Sequence, residues 1–386
     1  MRPRVVITNV SGWPGNSATG PNRSLDAVFI GLRDCFDFTL VAPKGPRRRT
    51  SPQTQTQDAA PPIGATTHYT ASGPDVIRVL RQLLQPGATD LLWMQSFFAP
   101  WFTVVPLLAM QAGILPRIPV LLSVRGELSE QALSMGSPLK RSYLSIARAM
   151  SLFRSVSLHA TSDLECADIE RHDLKARSIT SVPDTAGLAP CPTHTPRPPG
   201  TPLRLVYLGR IHPMKGLLTA LRALHQLRSP SVLDIWGPVQ DPEYKNQCEA
   251  AIARMPDHVR CEWHGVLDAT SVVPTLGSYD LLILPSESEN FGHAIFEALS
   301  AGTPVLIGDK TPWRHLEEAG VGFDIPLNSI GLLAEKIEQF AALDAEETQL
   351  MRRRARAFAE REYLERQSLE RTRAMLNATA SGLIRV

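Results

Sequence analysis

Long apolar runs, clustered cysteines and a strong charge of either sign are all missing from this chain of 386 residues. No stretch reaches the roughly 18 apolar residues of a membrane span, which excludes a helical integral membrane protein. Five cysteines, Cys35, Cys166, Cys191, Cys248 and Cys261, form no C-x-x-C pair. They give no zinc site and suit a reducing compartment. The formal charge of +2 argues neither for nor against nucleic acid, so no nucleic-acid partner is assigned. The opening "MRPRVVITNVSGWPG" has too short an apolar run for a signal peptide and reads as a strand, which points to a cytoplasmic protein. What is present, 43% hydrophobic and 20% charged residues, is globular composition, and the length suits two domains.

Short β-rich runs alternate with helical patterns in both halves. The first half offers "RVVIT" (4–8), "FTLVAP" (38–43), "DLLWM" (90–94), "PVLLSV" (119–124) and "SLHAT" (157–161). The second offers "LRLVYLG" (203–209), "VLDIWG" (232–237), "VRCEWHG" (259–265), "DLLILP" (280–285) and "PVLIG" (304–308). Alternation of this kind predicts an α/β protein built from two doubly wound parallel sheets. Residues 182–202 are dense in proline and read as a linker between domains 1–190 and 203–364. A helix over about 365–386 is expected to pack back on the first. The segment 43–65, long for a connection inside a domain, carries Arg47, Arg48 and Arg49, which read as a solvated run.

The densest chemistry lies in "LLILPSESENFGHAIFEALSAG", a strand, a loop and a helix. Glu289 falls in the loop and Gly292 near the helix N-terminus, where free N–H groups and the dipole favour an anion. Glu297 sits five residues further, about 7.5 Å along the axis, beside the arc formed by Ala294, Ile295, Ala298, Leu299 and Ala301. That spacing suits a nucleotide, with phosphate at the tip and ribose on Glu297; acidic residues are also simply favoured in a first turn. "LVYLGRIHPMKGLLTALRAL" again runs strand, turn, helix. Its Arg210 and Lys215 oppose the helix dipole unless they face an anion, and a fork plus a point charge suits a diphosphate. The same two residues read alone are surface cations. The glycines Gly12, Gly15 and Gly20 do not fit G-x-G-x-x-G, which argues against a nicotinamide oxidoreductase. Their loop reads equally as a plain turn or as one that brings backbone at Gly12 near a substrate phosphate. His159, His212, His264 and His293 show no pair at metal-ligand spacing, and Trp93, Trp236, Trp263 and Trp313 read as packing residues.

"GRIHPMKG" followed by "LPSESENFGHAIFEALSAGTPVL" resembles the retaining nucleotide-sugar glycosyltransferases of family 4, the group 1 transferases of GT-B fold. "MQSFFAPWFTVVPLL", "SVRGELSEQAL" and "LHATSDLECADI" resemble a branch linked to bacterial surface polysaccharides. The resemblance implies two Rossmann-like domains facing each other across a cleft. Arg210 and Lys215 would hold the donor diphosphate and Glu297 the ribose. Glu289 would contact the donor sugar, aided by backbone N–H groups at Asn290, Phe291 and Gly292. Glu289, Lys215 and Arg210 are thus the expected catalytic groups. No metal or other cofactor is expected, in keeping with the lack of any D-x-D pair. Two departures stand out. The active-site histidine that many relatives carry is replaced by "SVRGEL", making Arg125 and Glu127 the candidates there, and N-G-[VI]-D is replaced by "VPDTAG". The expected partners are a nucleotide-diphosphate sugar and a glycan or lipid-linked acceptor. A sugar-nucleotide epimerase of the same fold and a catalytically silent binding protein stay open beside the transferase.

Between Gln131 and Ser162 the chain has no Asp or Glu, while Lys140, Arg141, Arg148 and Arg154 recur on one side of a helical wheel. Leu139, Tyr143, Ile146, Met150 and Phe153 take the other side, expected in the core. The basic side is expected either in water or against an anionic inner membrane.

Overall fold

A computed structural model describes residues 2–11, 20–43, 62–134, 139–188, 194, 197–198, 200–268, 270–327 and 329–382. Gly12, Gly15, the three arginines 47–49 and most of the loop 43–65 lie outside the described residues. The chain divides into one unit of Met1–Thr185 with Gln367–Val386, and a second of Ala186–Arg366.

In the first unit the strands are β1 (Arg4–Asn9), β2 (Asp37–Pro43), β3 (Ala65–Thr70), β4 (Leu91–Gln95), β5 (Val120–Ser123), β6 (Val156–Ala160) and β7 (Ser178–Ser181). They form a parallel sheet in the order β3-β2-β1-β4-β5-β6-β7. Helices α1 (Gly20–Leu32), α2 (Gly73–Leu83), α3 (Val105–Gln111), α4 (Glu130–Ser134), α5 (Leu139–Ala149) and α6 (Asp163–Arg171) connect them. The second unit holds β8 (Leu203–Leu208), β9 (Ser231–Trp236), β10 (Val259–Gly265), β11 (Leu281–Leu284), β12 (Val305–Gly308) and β13 (Gly322–Ile325), in the parallel order β10-β9-β8-β11-β12-β13. Its helices are α7 (Leu217–Leu224), α8 (Pro242–Ile252), α9 (Val272–Gly277), α10 (His293–Ser300), α11 (Ile330–Ala341) and α12 (Ala345–Arg366). The last helix, α13 (Ser368–Ala380), returns to the first unit, where Met375 and Leu376 join the core of Val5, Leu25 and Trp93. Gln367, in the left-handed region at φ 45°, makes the break between α12 and α13.

Apolar side chains on both faces bury the central strands: every residue of β4, β5, β6 and β11 is buried. Both sheets reverse direction of growth at one place, between β1 and β4 and between β8 and β11. In open α/β sheets, ligands bind outside the carboxyl ends of the strands at such switch points.

The proline-rich stretch is not a free tether in its described part. Val182 is buried in the first unit's core, while Ala186 and Leu188 pack on the second unit's core. His194, Arg197 and Arg204 gather around the buried Asp280, with Arg204 Nη2 at 2.7 Å from its carboxylate. Burial alone would raise that carboxyl, but hydrogen bonds from His194 and Arg204 outweigh it and hold it at about 2.

Helix α5 differs from the expected arrangement. Leu144 and Ala147 are its buried residues, whereas Leu139, Ile146 and Met150 are 75%, 58% and 45% exposed. Lys140 turns inward, its Nζ 5.0 Å from the centre of the Phe98 ring, and Arg154 lies past the helix end. The helix stops at Ala149, and the face it turns to the core carries Leu144 and Ala147 rather than Leu139 and Ile146. Phe153 reaches the core from the following turn, leaving only about three helical turns to be oriented by Leu144 and Ala147.

Candidate active site

The two quoted motifs of the second half meet at the β8/β11 switch point. After β8 the chain makes a one-turn 3₁₀ segment, Pro213–Lys215, begun by His212, whose Nδ1 accepts from the Met214 N–H at 3.3 Å. Burial, then the Arg210 cation, pushes His212 below its ordinary pKa, which keeps the ring neutral and able to accept. Gly216 ends the turn at φ 71°, and a Cβ there would overlap the Pro285 carbonyl. Glycine is therefore required both for conformation and for the close approach of the β11 loop. That loop is tied down by the Glu287 N–H, which donates to the Met214 carbonyl at 3.0 Å.

On this frame Lys215 Nζ lies 2.6 Å from Glu289 Oε1, across 74 residues of sequence. Ser286 Oγ donates to the same oxygen at 2.8 Å. The pair is well shielded, with side chains 16% and 10% exposed. Arg210 instead stands exposed, its Nη1 donating to Gln240 Oε1 at 2.6 Å. Its carbonyl accepts from Tyr207, a fully buried phenol whose pKa burial drives well above the ordinary value.

Gly292 caps α10 at φ 78°, where a Cβ would crowd Ile295 and Trp313. The Trp313 indole N–H donates to the Phe291 carbonyl, and the Arg366 guanidinium lies 4.5 Å from the Trp313 ring centre. The helix tip is thus clamped from behind, while Asn290 stays half-buried beside it. Glu297, beside the apolar arc of α10, is buried at 7% exposure, and α9 and α12 as well as the sheet pack around that helix. The site brings together Lys215, Glu289 and the Gly292 turn; Arg210 flanks it on the side of Gln240.

The first unit's switch point is organised differently. Arg125 sits just past β5 in the left-handed region, at φ 59°. Its guanidinium pairs with Asp184 and donates from Nε and Nη2 to Gln95 Oε1 at 3.2 and 2.9 Å. Glu127 accepts from Ser96 Oγ at 2.6 Å and from the N–H groups of Phe97 and Phe98 at 3.2 and 2.9 Å. Glu165, also buried, accepts from Thr161 and from the Gly126 N–H. Behind them runs a neutral chain: Trp93 Nε1 donates to Ser123 Oγ at 2.8 Å, and Ser123 lies 2.7 Å from His159 Nδ1. His159 Nε2 is 2.8 Å from the Val182 carbonyl. Burial foremost, helped by the Arg125 cation, lowers His159 to about 4. Gln95, Ser96, Glu165 and Asp184 were not among the expected site residues. Asp184 had a signal, as the acid in "VPDTAG" where relatives carry N-G-[VI]-D.

Residues 195–358 match the family described as glycosyl transferases group 1. The matched residues all fall within the second unit, Ala186–Arg366. Over 179 residues, 44% of this chain and 44% of the relative, the sequence is 27% identical to a putative colanic acid biosynthesis glycosyltransferase of Escherichia coli K12. The chain thus matches less than half the length of that relative. Its fold is that of the Anabaena Alr3699/HepE protein, solved with UDP and glucose. The TM-score is 0.72 at 17% identity, with 98% of this chain and 100% of that one covered. WaaG, a glycosyltransferase involved in lipopolysaccharide biosynthesis, superposes at a TM-score of 0.63 and 14% identity, covering 96% and 99%. The fold is GT-B.

Proposed function

We propose that the chain transfers a sugar from a nucleotide-diphosphate donor to a glycan or lipid-linked acceptor, in the building of a polysaccharide or lipopolysaccharide. The observation that carries this reading is the shielded Lys215–Glu289 pair at the β8/β11 switch point. Each partner there is a placeholder for a substrate group. Diphosphate oxygens replace the carboxylate on Lys215, and sugar hydroxyls donate to Glu289 in place of the ammonium. Arg210 closes on the diphosphate from its exposed position, Glu297 takes the ribose, and the turn at Asn290, Phe291 and Gly292 offers backbone N–H groups. Negative charge grows on the leaving diphosphate, so these fixed cations stabilise the transition state more than the ground state. They supply the countercharge, and transfer proceeds without a metal cofactor.

Retention of anomeric configuration fits the state of Glu127, which is held by Ser96 and two backbone N–H groups and so is not poised as the base that an inverting displacement needs. Incubation with UDP-, GDP- and ADP-sugars, followed by proton NMR of the glycoside, tests both points. An α-donor gives an α-product; a β-product contradicts retention, and free sugar without acceptor dependence favours an epimerase.

The surface of α5 supports a second, compatible reading, peripheral docking on an anionic membrane. Leu139 and Ile146 on α5, and Met150 just past its end, are exposed, and the helix also presents Arg141 and Arg148 to solvent. Cations near an anionic surface contribute about 1 kcal/mol each, and exposed apolar side chains add insertion. Among the described residues no helix is long and apolar enough to cross a membrane. Sedimentation with anionic vesicles is expected to be strong at low salt and weak at high salt. It is expected to fall when Lys140, Arg141, Arg148 and Arg154 become glutamine; unchanged sedimentation contradicts docking.

A further inference from the structure

Away from the Lys215–Glu289 site, strands β9 and β10 place three metal-ligating side chains together. Asp234, Glu262 and His264 lie with one ligand atom each within 4.8 Å of one another. His264 Nε2 is 2.9 Å from Asp234 Oδ1 and 3.9 Å from Glu262 Oε2. These separations bracket the about 3.3 Å between neighbouring ligands of a tetrahedral ion with bonds near 2.0–2.1 Å. Little movement would be needed to enclose one.

We propose that Asp234, Glu262 and His264 bind a divalent transition-metal ion, Zn²⁺ by preference, which clips the edge strand β10 to β9. Four further observations point the same way. The parallel register sets Glu262 directly opposite Asp234, a like-charge pair that destabilises a ladder unless a cation lies between. The Trp236 indole stacks on the His264 ring, with centres 4.6 Å apart and planes at 19°, which fixes the imidazole's orientation. Tyr279 donates its hydroxyl to Asp234 Oδ2 at 2.7 Å, which orients the carboxylate with Oδ1 facing His264 Nε2, and itself accepts from Trp236 Nε1 at 3.2 Å. Such outer partners orient the ligands of protein metal sites. An open cavity of about 220 Å³, lined by Arg204, Val232, Asp234, Ser278 and Tyr279, adjoins the cluster and leaves room for a water as fourth ligand. One imidazole and two carboxylates suit zinc better than magnesium or calcium, which prefer all-oxygen shells. β10 is an edge of the sheet, so a cross-strand clip acts where the ladder has a partner on one side alone.

The site is independent of the transferase reading, and its test reads metal rather than activity. Full-length protein stripped with chelator is titrated with Zn²⁺ and, separately, Mg²⁺ by calorimetry, and its melting point is followed. One Zn²⁺ per chain is expected, with a raised melting point and no comparable response to Mg²⁺. His264→Ala and Glu262→Gln, both at exposed positions, are expected to keep the fold and to weaken Zn²⁺ by about tenfold or more. Tyr279→Phe is expected to weaken it by about tenfold, the scale of outer-partner losses. Co²⁺ is expected to quench tryptophan emission in the wild type more than in Trp236→Phe. Zn²⁺ affinity unchanged in His264→Ala, or less than one ion per chain, would overturn the proposal.

Discussion

The two switch points of this molecule are built from similar residue types and put them to opposite uses. At β8/β11, Lys215 and Glu289 answer chiefly to each other and to Ser286, and Arg210 reaches Gln240 from an exposed position. Those contacts join groups that a ligand can satisfy equally well. At β1/β4 and the neighbouring strand ends, Arg125, Glu127, Glu165 and Asp184 are spent on backbone N–H groups, on Gln95 and on one another. The lesson is that charge alone does not mark a binding site. What matters is whether each charged group has partners the fold itself cannot give up. By that measure the exchangeable charges are those of the second unit, and the charges of the first hold its loops in place.

The comparison breaks most visibly at Arg125. Arg125→Ala removes the counter-charge from the buried Asp184 and leaves Gln95 Oε1 without its donors. A loss of about 3–5 kcal/mol of stability is expected in chemical denaturation, the cost of stranding a buried charge. A loss below about 1 kcal/mol, the range of surface pairs, would mean that the first unit's ionic groups are as exchangeable as those of the second.

A smaller effect sharpens the same contrast through pH. His159 titrates near 4 in the folded chain against 6.5 in the unfolded one. The neutral ring therefore contributes stability at neutral pH, and that contribution is lost as pH falls from about 6.5 towards 4. The full shift corresponds to on the order of 3 kcal/mol. His159→Gln is expected to flatten the decline over that range; an unaltered pH profile would show that the Trp93–Ser123–His159 chain does not govern it.

How much of this was legible in sequence depends on range. "GRIHPMKG" and "SESENFGHAIFE" could be placed on turn and helix tips because strand, glycine and apolar period all lie within about twenty residues. The contact between Lys215 and Glu289 could not be read the same way, since it depends on which parallel strands become neighbours. The strands that went unread, β3, β7 and β13, all lie at sheet edges. "ATTHYT" and "SITS" carry few large apolar residues, because an edge strand is covered less completely. Asp234 and His264 stayed apart in the reading for the same reason as Lys215 and Glu289: only register brings Glu262 opposite Asp234. In α5 the apolar period favours the side of Leu139, Tyr143 and Ile146, whereas packing turns the neighbouring positions Leu144 and Ala147 to the core.

The central claim, that the exchangeable pair of the second unit is the donor site, is tested most directly by calorimetric titration with UDP, GDP and ADP. Wild type is expected to bind at least one of them. Lys215→Ala is expected to weaken the best of them by about 10- to 100-fold, the value of a hydrogen bond to a charged group, with Glu297→Ala also weaker. Glu127→Gln, in the first unit, is expected to bind it like wild type. Failure of all three nucleotides to bind wild type, or a Lys215→Ala variant that stays folded and binds undiminished, would contradict the account.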